Sequence, residues 1–137
     1  MKFVYFFLFS IFSFSQNTDI DVHLKTPDSI VNNEDVLSNL IFITSENEAR
    51  TLAEKHIADN TVCLLLQGGI APVFIKTDKD FEAKYKIQFR EYGCSGPKYE
   101  IMVAYNTVVF NFLTITYGNR WKREIRKDVI GYKKWKK

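Results

Sequence analysis

Apolar residues run from Phe3 to Phe14 with only Ser10 and Ser13 between them, and the pattern then turns abruptly polar at Gln16-Asn17-Thr18-Asp19. Met1-Lys2 gives the run a minimal positive start. Ser13 and Ser15 stand at the small-residue spacing that signal peptidase reads, so cleavage is expected between Ser15 and Gln16. The run is shorter than the roughly 20 apolar residues a bilayer span needs. No Lys/Arg cluster follows to stop transfer, and no Cys stands near the cut to carry a lipid. Residues 1–15 are therefore expected to be a signal peptide, with residues 16–137 forming one globular domain.

Downstream the periodicity shortens. Ile20, Val22 and Leu24 alternate with Asp21, His23 and Lys25, a short strand that Thr26-Pro27-Asp28 ends. Glu34-Asp35-Val36-Leu37 fits a turn or two of helix. Leu40-Ile41-Phe42-Ile43 reads equally as a buried strand or as the end of that helix. Ser45 and Glu48 have the spacing of a capping box, and Ala49, Leu52, Ala53, His56 and Ile57 then share one helical face up to Asp59-Asn60.

Thr61 to Thr77 reads as a β-hairpin. Val62, Leu64 and Leu66 alternate with Cys63 and Leu65, Gly68-Gly69 supplies the turn, and Ile70 to Lys76 returns as an edge arm carrying Pro72. A short helix capped around Thr77 buries Phe81 and Tyr85. Ile87 to Tyr92 makes a third strand, ended by Gly93-Cys94-Ser95-Gly96-Pro97. From Pro97 to Gly118 the apolar positions widen until the helix is apolar almost all round, the mark of a central element. A last helix is expected from Asn119 to about Ile130. The expected architecture is α+β: a small, mainly antiparallel sheet packed against helices in a single domain, without repeats.

Charge adds one feature. The whole chain carries a formal +3, yet Asn119 to Lys137 holds nine Lys or Arg against Glu124 and Asp128. The rest has ten basic against fourteen acidic residues and is net acidic. On one helix, Trp121, Ile125, Val129 and Tyr132 would share a face while Arg120, Lys122, Arg123, Arg126 and Lys127 project elsewhere. Lys133, Lys134 and Trp135 would extend past Gly131 as a basic tail, residues 131–137. Such a segment suits an anionic partner: acidic protein, anionic lipid or glycan. Export argues against nucleic acid. The bland alternative is a docking helix with a solvated charged face.

Cys63 and Cys94 are an even pair in a chain bound for an oxidising compartment, which favours a disulfide. Closing that loop stabilises a fold by roughly 3–4 kcal/mol in the chain-entropy treatment. Two buried free thiols are the other reading. A thiol-dependent enzyme would pair Cys94 or Cys63 with His56 as base, but His56 falls on the apolar face of its helix and a disulfide removes the nucleophile. Gly93 to Pro97 also suits an ordinary strand-to-helix turn. His23 and His56 have no companions at metal-ligand spacing. Asp78, Asp80 and Glu82 do not follow a calcium loop, and no Gly-Lys-Ser/Thr follows Gly68-Gly69. No cofactor, metal or catalytic residue is expected.

The stretch from Phe81 to Gly131, with FEAKY, EYGC, YNTVVFNFL and YGNRWKREIRKDVIG, resembles small exported bacterial proteins of no known activity. The resemblance implies export and assigns no site. The expected function is that of a periplasmic or secreted, non-enzymatic binding protein: an inhibitor, an immunity-like partner or an envelope accessory protein. Its partner would be another envelope or secreted protein.

Overall fold

The computed structural model describes residues 39–69, 73, 75–93 and 95–137. The signal segment, the expected strand over Ile20–Leu24, the turn at Glu34–Leu37 and Cys94 lie outside them. So do Ile70, Ala71, Pro72 and Phe74 of the expected return arm.

Leu40 to Ile43 resolves as the end of a helix: residues 39–41 are helical, with Leu40 buried and Ile41 and Phe42 exposed. Helix α1 follows, Glu46–Ala58. The Ser45 hydroxyl accepts from Glu48 N at 3.3 Å, as the capping box requires. The reciprocal bond is displaced by one residue, since Glu48 Oε2 accepts from Thr44 N rather than from Ser45. Ala49, Ala53 and His56 are the buried face.

Strand β1 is Cys63–Leu66, and all four of its residues are buried. Its partner is β2, Gln88–Glu91, in parallel register: Cys63 faces Gln88 and Leu66 faces Glu91. Among the described residues the sheet is thus two-stranded and parallel, not antiparallel. Helix α2, Asp78–Tyr85, lies within the crossover between the strands, because parallel neighbours need a connection of about a dozen residues or more. A parallel strand covered on both faces is apolar without alternation, which is why Leu64, Leu65 and Leu66 do not reveal a pairing direction. Gly68 has a different task from the expected hairpin turn. A Cβ there would lie 1.6 Å from Tyr92 O, so its missing side chain admits the end of β2.

The central helix α3 runs Tyr99–Tyr117, two residues later than Pro97 suggested, and ends at Gly118. It packs along α1 on one side and against β1 on another. Ile101, Ala104, Tyr105, Asn106, Val109, Phe110 and Leu113 are its buried face. Ile115 is 85% exposed, so the helix is central without being apolar-covered all round.

The expected single helix from Asn119 to Ile130 is broken. Helix α4 is only Trp121–Glu124, after which Ile125 is extended. The following segment bonds to the outer edge of β1: Ile130 N donates to Leu65 O at 3.0 Å, and Leu66 forms an antiparallel bridge with Val129. Buried strand groups must find partners, and this edge recruits the segment out of helical geometry. Gly131, at φ 79°, then turns the chain into α5, Tyr132–Trp135. Residues 131–137 are accordingly no free tail. Tyr132 is buried, and Trp135 packs with Phe110 and Trp121, donating from Nε1 to Asn111. The spacing of Trp121, Ile125, Val129 and Tyr132 identified four buried side chains correctly, but three short pieces of structure deliver them.

Candidate functional site

His56 and Cys63, which the enzyme alternative pairs as base and nucleophile, do come together, through a third group. His56 Nδ1 lies 2.9 Å from the Tyr105 hydroxyl, which in turn lies 3.7 Å from Cys63 Sγ. Helix α1 supplies the imidazole, β1 the thiol and α3 the phenol between them. All three are buried. Burial favours the neutral form of each. It lowers the His56 pKa, raises Tyr105, and pushes the Cys63 thiol up to about 11. A thiol held protonated away from solvent is a poor nucleophile. Cys63 is a free thiol here; its expected disulfide partner and candidate nucleophile, Cys94, is outside the described residues.

Arg126 was expected on a cationic face, and its position is the clearest correction. Its residue is 7% exposed. Its guanidinium donates from Nε and Nη2 to Asp128 at 3.0 and 2.5 Å, and from Nη1 to Asp78 at 2.8 Å and Val73 O at 2.9 Å. Glu91 lies 3.9 Å away. The Asp128 contact holds the guanidinium pKa above its ordinary value and the Asp128 carboxyl below its own. Arg126 therefore ties α2, the end of β2 and the segment leaving α4 into one cluster.

The remaining cations divide into two groups. Arg120 and Arg123 are exposed around α4, and Lys122 is half-buried with its ammonium 4.8 Å over the Trp135 ring. Lys127, Lys133 and Lys134 line a different place, an open cleft of about 380 Å³ with Gln67, Tyr99 and Ile130. A neighbouring cleft of about 300 Å³ shares Gln67, Tyr99 and Ile130 and continues past Gly68 and Tyr92. Both lie at the carboxyl end of β1.

A larger groove, about 800 Å³, opens between α2, β2 and Arg126. Leu66, Val73, Ile75 and Phe89 provide its apolar lining, with Lys76, Lys79, Glu82, Arg90 and Glu91 around them. Val73 is 60% and Ile75 43% exposed. Asp78 Oδ2 accepts from Arg126 and from Ile75 N, while Oδ1 has no hydrogen-bond partner. Glu82 accepts from Phe89 N at 2.8 Å, fixing α2 against the strand.

Tyr105, Gln67, Tyr99, Val73 and Ile75 carry no functional signal in the sequence. Tyr105 looked like one more apolar position of α3, and its partners lie more than forty residues away. Nothing local marks the others. Among the described residues, no group of three or more His, Cys, Asp or Glu is placed to hold a metal ion, and no helix is long and apolar enough to cross a membrane. No family model matches the chain, and neither a curated protein nor a solved structure matches it.

Proposed function

We propose that the chain is an exported, non-enzymatic binding protein that recognises another envelope or secreted protein, as an inhibitor, immunity-like partner or accessory subunit would. The observation that carries this reading is the 800 Å³ groove, with Val73 and Ile75 exposed beside Leu66 and Phe89 and charged side chains ringed around them. An apolar centre within a polar rim is the anatomy of a protein interface. Small-molecule sites instead bury a ligand among mostly apolar walls with few polar groups. The enzyme alternative using Cys94 and His56 draws little support, because His56 is buried and already bonded to Tyr105.

Export rests on the Phe3–Phe14 run and the Ser15–Gln16 cleavage position. It makes a Cys63–Cys94 disulfide part of the same reading, and periplasmic or secreted the expected location.

The test is a photocrosslinking residue placed at Ile75, with the more exposed Ile115 on α3 as a control, in cells that export the protein. A discrete adduct at Ile75, lost with Val73→Glu and absent at Ile115, is the expected result. No adduct at Ile75, or the same adducts at both positions, would sink the groove as a partner site.

A further inference from the structure

Helix α5 and the turn before it bring three lysines to one concavity. Lys127 comes from the segment leaving α4, and Lys133 and Lys134 from α5, so no single helical face of the sequence assembles them. All three are exposed, and among the described residues none of their ammonium groups has a hydrogen bond or ion pair. The acid in the same cleft, Asp128, is already bonded twice by Arg126. The cleft's lining therefore carries a net positive charge, three lysines against Asp128.

Its frame is fixed. Ile130 is held to Leu65 O and to Asn106 Nδ2, and α5 is anchored by buried Tyr132, whose hydroxyl donates to Lys122 O at 2.7 Å. Lysines on such a support lose less freedom on binding than lysines of a frayed tail. The neighbouring cleft lengthens the site into a trough, and Gln67, Tyr99 and Ile130 belong to both parts. Tyr99 is 56% exposed there, offering a ring face beside the charges.

We infer that this trough binds an acidic segment of a partner protein, with carboxylates at Lys127, Lys133 and Lys134 and aliphatic side chains against the exposed ring of Tyr99. Lysine ammonium groups are point charges that accept carboxylates in many orientations. The apolar part of the trough favours a chain with hydrocarbon stems over a bare inorganic anion. The inference rests on the reading of the protein as a protein-binding one, but its site is separate from the Val73–Ile75 groove.

The mature protein is titrated into a fluorescein-labelled peptide of glutamates with interspersed leucines, with the glutamine version as a neutral control, and anisotropy is read. Saturable binding of the acidic peptide only is expected. Changing Lys127, Lys133 and Lys134 together to Gln should weaken it about tenfold or more, whereas changing Arg120, Lys122 and Arg123 to Gln should alter it by about twofold at most. Thermal melts check that both variants are folded. Equal weakening by the two variants means that net charge alone attracts the peptide, and overturns the inference. Absence of saturable binding overturns it as well, as does displacement of the peptide by inorganic tripolyphosphate at concentrations where sodium chloride of equal ionic strength has no effect. Failure of the Ile75 crosslink would leave this peptide result standing, so the two readings fail separately.

Discussion

Asn106, in the middle of the central helix, is bonded to both backbone polar groups of Leu65: its Oδ1 accepts from Leu65 N and its Nδ2 donates to Leu65 O, each at 2.9 Å. The same Nδ2 donates to Ile130 O at 2.9 Å. One side chain thus completes the outer edge of β1 and joins it to the C-terminal segment. A fully buried amide is tolerated because its donors and acceptor are used. Asn106→Leu keeps the volume roughly and removes every one of these bonds, leaving Leu65 N and Ile130 O without them. The expected loss is about 2–4 kcal/mol, read as a lower urea midpoint. A variant as stable as the parent would show that this bridge contributes nothing net.

Tyr105→Phe should cost about 1–2 kcal/mol, because it strips the hydroxyl shared by buried His56 and Cys63. In the native parent, Cys63 is expected to resist thiol reagents near pH 8, since burial raises its pKa to about 11. With the Cys63–Cys94 bond proposed above, guanidinium alone should release no thiol, and guanidinium with reductant should release two. Thiols that titrate in guanidinium without reductant would remove the bond from that reading.

Arg126→Met should destabilise by about 3 kcal/mol or more, because it leaves Asp78 enclosed without its cation. The pH dependence of the cluster follows from Asp128, whose carboxyl Arg126 holds below the usual range. A depressed folded pKa contributes stability above the unfolded value of about 3.9, and that contribution disappears as pH falls through the folded value. Asp128 is 45% exposed on its side chain, so solvent screening keeps its share to roughly 1 kcal/mol or less. Asp128→Asn should flatten the acid limb of stability between about pH 5 and pH 2; an unaltered limb would contradict the assignment.

Removing residues 131–137 should unfold or strongly destabilise the protein rather than trim a tail. Tyr132→Ala alone should cost about 3 kcal/mol, as buried aromatics do, measured by thermal or denaturant melting. A truncated chain with an unchanged melt would mean that α5 is an ornament on the surface.

Gly68→Ala should be worse than Gly131→Ala. At Gly68 the new methyl would overlap Tyr92 O, and the ends of β1 and β2 would have to separate, an overpacking cost of about 1–3 kcal/mol or more. At Gly131 the cost is a left-handed φ and a 3.3 Å approach to Val103, about 1 kcal/mol. Denaturant midpoints of the two variants give the order directly.

Local chemistry was enough to reveal much of this molecule. The Ser45–Glu48 cap, the Phe81–Tyr85 helix, the strand around Phe89, the α3 helix with its Gly118 end, and the buried character of Trp121, Ile125, Val129 and Tyr132 all follow from capping and periodicity. These features depend on neighbours within about four residues, which is the range over which periodicity speaks. The tertiary structure decided the rest, because each point turns on backbone groups or charges brought from far along the chain. It decided that β1 pairs in parallel with β2, since an all-apolar strand does not reveal its pairing direction. It broke the last helix, since the free edge of Leu65 and Leu66 bonds residues 129 and 130. It withdrew Arg126 from the basic surface by setting Asp78 and Glu91 beside it, and it gathered Lys127, Lys133 and Lys134 into one trough that no spacing in the sequence foretells.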